Sequence, residues 1–199
     1  MIVVGASGHA KVVSDILFLG NLRVSAYYDD RNIDSLMGIK VFSPISDIPD
    51  ASDAIIAIGE NAVRKRISLI HPKLNYKIAI HPKTVIDKSV CIGLGSVIMA
   101  SVTINHSTKI GKHCIINTSS SIDHDCNLEG FAHISPGAVL CGGVSISEGT
   151  QIGANAVVSP NVKIGKWATI GAGSVVIKDV PDYAVVVGNP GKIIKFNEK

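Results

Sequence analysis

His124 stands between two acids in the run Ser119-Ser-Ser-Ile-Asp-His-Asp125. A carboxylate beside an imidazole fixes its tautomer and raises its basicity, which a general base working near neutral pH requires. An ordinary surface histidine carries the same neighbours, so these residues alone leave both readings open. A second candidate opens the chain, where Gly5 and Gly8 bracket a strand-to-helix turn in GASGHA and Asp29 and Asp30 close a later strand. Backbone amides at such a turn, with the helix N-terminus behind them, hold phosphate. The spacing is GxxG and lacks the full GxGxxG of a dinucleotide site, so a tight turn with solvated acids is the alternative. A nicotinamide-dependent redox enzyme is the different-class reading of the same turn, and no second catalytic constellation supports it.

The remaining titratable residues point to no further chemistry. Cys91, Cys114, Cys126 and Cys141 form no CxxC pair and no ligand spacing with histidine, so neither zinc nor a disulfide framework is expected, and reduced core thiols are. No metal site is expected. His106 and His113 read as solvent-facing or substrate-adjacent corner residues, and His71 and His81, each followed by proline, as loop residues.

The elements that must carry these residues follow from a repeat. From Ile86 to Val176 every sixth position is aliphatic, sixteen in succession, and two residues before each stands a small or β-branched residue, from Thr84 to Ser174. Residues two apart on a strand share a face, so each hexad is a short strand with two inward side chains, followed by a corner. Such strands must stack on one another, giving a parallel β-helix in which three hexads close one triangular coil. Gly93, Asn105, Gly111, Asn117, Gly153, Gly165 and Gly171 follow the aliphatic position, where a bend with positive φ favours Gly or Asn.

Column arithmetic then sharpens the first candidate. Positions eighteen apart share a column, so Gly142 and Gly143 lie one coil above His124 and Asp125. Two missing side chains leave room for a substrate and expose amides that polarise a carbonyl; glycines serving a turn are the alternative. His133, nine residues from His124, falls on another part of the prism. A neighbouring subunit brings the two together if flat faces pack around a threefold axis.

Residues 1 to 80 alternate instead. Ile2 to Val4 reads as a strand and Lys11 to Leu19 as a helix with Val12, Val13, Ile16 and Leu19 on one side. Strands are expected at Val24 to Tyr28, Ile39 to Phe42, Ala54 to Ile58 and Lys77 to Ile80, with a helix at Asn61 to Ile70. This is a small Rossmann-like α/β domain with a parallel sheet, ahead of a β-helix over 81–180 and a cap over 181–199 broken by Pro181, Gly188 and Pro190. With 199 residues, 46% hydrophobic and 18% charged, the chain can bury a core, and its net charge of +3 comes without a basic run. Nucleic acid is therefore not an expected partner. No apolar stretch approaches the roughly 20 residues that span a bilayer, and the N-terminus lacks a leader pattern; a cytoplasmic protein without membrane insertion is expected.

GASGHA, the YYDD strand end, AIGENAVR, the hexads, NTSSSIDHD and the closing VVVGNPGK together resemble the bacterial sugar acyltransferases of the sialic acid O-acetyltransferase type, close to the UDP-amino-sugar N-acetyltransferases of the bacillosamine pathway. The resemblance spans essentially the whole chain. It implies a left-handed β-helix, a homotrimer, and acetyl-CoA as cosubstrate with no tightly bound cofactor. By the same resemblance His124 is the general base and Asp125 its acidic neighbour. Ser7, Gly8, His9, Asp29, Asp30 and Gly59 hold the nucleotide sugar, and His133, Gly142 and Ala154 contact acetyl-CoA between subunits. Gly191 stands where relatives commonly carry Ala. The acceptor this suggests is the amine of UDP-4-amino-4,6-dideoxy-N-acetylglucosamine. A GDP- or dTDP-amino sugar, a sugar hydroxyl of the sialic acid type, and a nonenzymatic scaffold are the other readings.

Overall fold

The computed structural model describes residues 1–198. The N-terminal part is a six-stranded sheet built from β1 (Ile2–Val4), β2 (Ala26–Tyr28), β3 (Ser35–Leu36), β4 (Ile39–Phe42), β5 (Asp53–Ile56) and β6 (Asn75–Tyr76), in the order β3-β4-β2-β1-β5-β6. All neighbours run parallel except the β3–β4 hairpin. Helices α1 (Gly8–Leu19) and α2 (Asn61–Ile70) make the crossovers, as parallel pairing demands.

The run expected as one strand at Lys77 to Ile80 divides. Asn75–Tyr76 closes the sheet, whereas Ala79–Ile80 pairs with Val97–Ile98 and opens the β-helix. The buried face of α1 also differs from the expected one. Ala10, Val13, Ser14, Ile16 and Leu17 are buried, while Val12 and Leu19 are exposed. The helix is covered on two sides, because Ala10, Val13 and Leu17 share a core with Ala79, Val97 and Ile115 of the β-helix as well as with Val3 and Ile55 of the sheet. Ser14 is tolerated there because its hydroxyl bonds to the Ala10 carbonyl (2.8 Å) and to the Tyr27 hydroxyl (2.7 Å).

From Ala79 onward two-residue strands stack into three parallel sheets, a left-handed triangular prism. The first face contains Ala79–Ile80, Ile115–Ile116 and His133–Ile134; the second Ser121–Ile122 and Val139–Leu140; the third Asn127–Leu128 and Ser145–Ile146. Partners are eighteen residues apart from Ala79 to Val176, as in Ser121 with Val139, and sixteen apart at the last rung, where Thr169 meets Val185. The aliphatic column, Ile98 to Val176, fills one continuous core together with Val102, Cys114, Cys126 and Ala138. Ala184–Val187 continues the first face, and Lys192–Phe196 folds back antiparallel on it.

The corners correct one expectation. Positive φ falls three residues after each aliphatic position from Ile92 to Ile170, at Ser101, Ser107, His113, Ser119, Asp125 and Phe131 among others, and not at the residue directly after it. Glycines directly after the aliphatic residue serve close approach: a Cβ on Gly111 would lie 2.6 Å from the Gly130 amide nitrogen, and one on Gly93 2.5 Å from the Gly111 carbonyl carbon. The thiols divide as well. Cys114 and Cys126 are buried in the core, Cys141 is half-buried, and Cys91 is exposed on the third face.

Candidate active site

The hexad register places Ile122 inward and leaves Asp123, His124 and Asp125 to form the corner between the second and third faces. Asp125 takes the left-handed conformation (φ 59°), which aspartate tolerates better than most residues. Its carboxylate then accepts from His124 Nδ1 at 2.8 Å. On the other flank, Asp123 Oδ1 accepts from the His124 backbone N–H (2.8 Å) and from Asn105 Nδ2 (2.9 Å) one coil below. The Asp125 hydrogen bond, reinforced by the Asp123 charge, holds the imidazole pKa above the ordinary histidine value. With Nδ1 bound to the carboxylate, Nε2 is the nitrogen left to take a proton.

Gly142 does sit over His124, and the room above the histidine is filled by the imidazole itself. A Cβ on Gly142 would come within 2.7 Å of both Cε1 and Nε2. Gly143 is a turn glycine (φ +71°), and its amide donates to the His124 carbonyl at 2.9 Å. The expected pair of free amides therefore reduces to one, because only the Gly142 N–H makes no hydrogen bond among the described residues. These residues, with Cys141, Pro160 and Asn161, line an open cleft of about 370 Å³. Gly142→Ala is expected to push the ring off Asp125 and to cost about a hundredfold in turnover, the scale of a 1 Å misplacement, with the melting midpoint unchanged because the ring is exposed and can swing away. An alanine variant with the parental kcat would show that this ledge does not set the ring.

A larger cavity, about 600 Å³, opens at the C-terminal ends of β1, β2 and β5. Ser7, Asp29, Asp30 and Gly59 line it, four of the six residues expected there. Gly5 makes the turn possible: its φ is +106°, and a Cβ would lie 2.8 Å from Ile58 Cγ1. Ser7 caps α1 without using its hydroxyl, so hydroxyl and helix N-terminus both remain available to an anion. Asp29 organises the loop. It accepts from the Ala6 amide (2.7 Å) and from Arg31 Nε (2.8 Å) and Nη2 (2.7 Å), and Arg31 holds its pKa down to about 2. Asp30 accepts from the Ile45 amide through Oδ1 at 2.8 Å, and among the described residues its second oxygen makes no hydrogen bond.

Gly8 begins α1 beside this cavity without lining it, and His9 points elsewhere. Its Nε2 is buried without a hydrogen-bond partner among the described residues, and burial, with the Arg64 charge second, pushes its pKa down to about 4. The same causes bring His133 and His113 down to about 4. Arg64, 1% exposed, lies at the centre of this group and was not recognisable in the sequence as special. Its guanidinium donates to the His113 and Phe131 carbonyls of the β-helix (both 2.8 Å), to the Ile58 and Gly59 carbonyls and to Asn61 Oδ1. All five donor positions are matched by oxygens, which compensates for burying the charge.

One expectation about the histidines is corrected here. His113 is buried, stacked on Phe131 (5.2 Å) with Tyr76 edge-on (4.5 Å), because α2 and β6 cover its corner. His71 follows α2 as its C-cap, in the loop expected, and is buried there. His106 stays exposed, bonded to Ser107 Oγ.

His133 lies on the first face, its Nε2 3.1 Å from Asn117 Nδ2, and Ala154 lies at the corner between the first and second faces. The second face separates Ala154 from the corner that holds His124 and Gly142. Among the described residues no cluster of three or more histidine, cysteine or acidic side chains is arranged to hold a metal, and no helix is long and apolar enough to cross a membrane.

A hexad β-helix that presents a carboxylate-backed histidine, joined to a parallel sheet with a phosphate-type turn, defines the hexapeptide-repeat transferase class. Residues 143–178 match the family described as bacterial transferase hexapeptide (six repeats), and residues 1–69 match the PglD N-terminal domain. UDP-N-acetylbacillosamine N-acetyltransferase of Bacillus subtilis (strain 168) is 37% identical over 110 residues, 49% of this chain and 50% of the relative; the match thus spans about half the length of that curated relative. Two solved structures align along nearly the whole chain. PerB of Caulobacter crescentus, in complex with CoA and GDP-perosamine, has a TM-score of 0.93 at 35% identity, covering 98% of this chain and 96% of that one. The acetyltransferase domain of PglB from Neisseria gonorrhoeae FA1090, in complex with acetyl coenzyme A, has 0.92 at 34%, covering 97% and 98%. The chain belongs to the nucleotide-amino-sugar N-acetyltransferase family of hexapeptide-repeat, left-handed β-helix proteins.

Proposed function

We propose that this protein transfers an acetyl group from acetyl-CoA to the amine of a nucleotide-linked amino sugar, in the cytoplasm, as a homotrimer without a tightly bound cofactor. The observation that carries the reading is the His124–Asp125 pair, with Nδ1 bound at 2.8 Å and Nε2 at the open cleft. The neutral sugar amine attacks the thioester carbon while His124 Nε2 takes its proton. The Gly142 amide steadies the oxyanion. The carbon–sulfur bond then breaks, and CoA leaves with the sulfur. In this reading Ser7, Gly8, His9, Asp29, Asp30 and Gly59 form or support the nucleotide-sugar site, and His133 and Ala154 contact acetyl-CoA.

The threefold packing is supported by the outward residues of the three faces. The first face is covered by the N-terminal sheet and helices over Ala79, Val97 and Ile115. The third face shows Lys109, Asn127 and Lys163 to solvent, whereas the second shows Val85, Thr103, Ser121, Val139, Val157 and Val175, none charged. An uncharged face of this kind suits contact with copies of itself. Packing second faces around an axis sets the His124 corner of one protomer beside the Ala154 corner of the next. Val157→Glu is expected to yield monomers in sedimentation and to abolish transfer; a monomer turning over at the parental rate would remove the shared crevice.

The direct test incubates the protein with acetyl-CoA and UDP-, GDP-, dTDP- and CMP-linked sugars bearing amine or hydroxyl acceptors, and measures free thiol. Thiol release with an amino sugar is expected, a UDP-4-amino-4,6-dideoxy sugar first among them. Release with a hydroxyl sugar alone would replace this reading by O-acetylation, and no release with any member would overturn it.

A further inference from the structure

The turn that carries His124 is bridged by a hydroxyl from the coil below. At other corners the fourth residue closes the turn directly: the Val90 N–H donates to the Asp87 carbonyl (3.1 Å), Ser120 to Asn117 (3.1 Å) and Val162 to Ser159 (3.4 Å). In the turn from Asp123 to Cys126 that bond is replaced. The Cys126 N–H donates to Thr108 Oγ1 (3.1 Å), and the Thr108 hydroxyl donates to the Asp123 carbonyl (2.7 Å). Thr108 is fully buried, where both bonds are stronger than they would be in water.

The residue type is specific to this rung. Along the inward column the positions eighteen apart are Val90, Thr108, Cys126, Val144 and Val162, and the one hydroxyl among them lies directly beneath the His124 turn. The rest of the turn backbone is fixed from both sides: the Asp125 N–H donates to the His106 carbonyl (3.0 Å), and the His124 carbonyl accepts from the Gly143 amide (2.9 Å). The His124 side chain is exposed, and among the described residues its ring hydrogen-bonds only to Asp125. The turn backbone and the Gly142 ledge, not an enclosing pocket, therefore aim the imidazole. The Thr108 oxygen sets the width of that turn, because it spaces the Asp123 carbonyl from the Cys126 amide by two hydrogen bonds where other corners use one.

We infer that Thr108 is a positioning residue for acetyl transfer: by bridging the two ends of the turn, its hydroxyl holds His124 in the place relative to Asp125 and Gly142 that transfer requires. Thr108 is buried in the prism and acts through His124 alone. With valine in its place the turn is free to close on itself, as the turn from Ser159 to Val162 does above Val144, and the imidazole shifts relative to Gly142. The inference rests on His124 being the base of the proposed function and goes beyond it by assigning the residue that places that base.

The test compares kcat and KM of Thr108→Val, Thr108→Ser, Ser96→Ala and His124→Ala with the parent, using acetyl-CoA and the amino-sugar nucleotide that releases most thiol in the panel above. Ser96 makes the same kind of bridge at a corner without the base, accepting from the Cys114 N–H (3.0 Å) and donating to the Gly111 carbonyl (2.8 Å). Melting midpoints check folding; valine on other rungs of the column shows that the site accepts it, and Thr108→Ala gives the same reading if the valine variant does not fold. Thr108→Val is expected to lower kcat about a hundredfold, the scale of a 1 Å misplacement, with both KM values unchanged because only the transition state loses an interaction. Thr108→Ser, which keeps the hydroxyl, should recover most of the loss, and Ser96→Ala should keep the parental kcat. A folded Thr108→Val enzyme at the parental kcat, beside an inactive His124→Ala, overturns the inference and leaves the proposed base in place. An equal loss in Ser96→Ala, or no recovery in Thr108→Ser, also overturns it, since the bridge would then serve the prism and not the histidine. A His124→Ala enzyme at the parental rate overturns the base and the inference together.

Discussion

His124→Ala is expected to lower turnover by about a thousandfold, within the range that a positioned general base contributes, while the oligomeric state and melting midpoint stay as in the parent because the side chain is exposed at a corner. The pH profile separates a base from a binding contact. Only unprotonated His124 can accept the proton, and Asp125 holds its pKa above the ordinary value, so kcat/KM falls as pH drops through that raised pKa. Asp125→Asn removes the largest cause of the shift. The acid limb should then move to lower pH, and the plateau should fall because the base is weaker and its tautomer is no longer fixed. A His124→Ala enzyme within a few-fold of the parental rate, or an Asp125→Asn profile with an unmoved acid limb, would remove the pair from this role.

The second large effect concerns the joint between the two halves of the molecule. His9, His113 and His133 are each depressed to about 4 by burial and by Arg64. In the unfolded chain they take up protons near the ordinary 6.5, and in the folded chain only near 4. The folded state binds fewer protons across that window, so stability is full above about 6.5 and is lost as pH falls toward 4. One such site contributes on the order of 3 kcal/mol between those limits, against roughly 5–15 kcal/mol holding a typical domain. Three sites around one buried guanidinium should therefore undo the docking of α2 before the β-helix itself melts. Urea midpoints measured from pH 7.5 to 4.5 should fall steadily. His113→Phe keeps the stack between Tyr76 and Phe131 and removes one titrating group, so its slope should be shallower. A flat midpoint across the window, or an unchanged slope in the variant, would refute the account.

The two predictions also mark what the sequence made legible. The sixfold spacing of aliphatic residues needs no knowledge of neighbours, because each coil repeats the same contact with the next; the column that stacks Gly142 on His124 followed from counting eighteen residues. What filled the space above His124 did not follow, since counting places backbone and not side chains. Nothing in the local sequence marks Arg64, and His113 reads as one more corner. Their burial comes from packing of the sheet and helices against the first face, a contact between residues such as Arg64 and Phe131 that no local pattern encodes. The same docking covers α1 on two sides, which is why Val12 and Leu19 were assigned to the core and Ser14 and Leu17 were not.

The prism also restricts how this protein can change in length. Six residues added between Ile122 and Leu140 would continue the inward pattern without a defect, yet rotate everything beyond by a third of a revolution and carry Gly142 to another edge. Eighteen would restore the rotation and lift Gly142 one rung, about 4.8 Å, away from the histidine. Length variation compatible with the chemistry is thus confined to whole coils outside that interval, and a survey of insertions among relatives should find the interval between His124 and Gly142 constant.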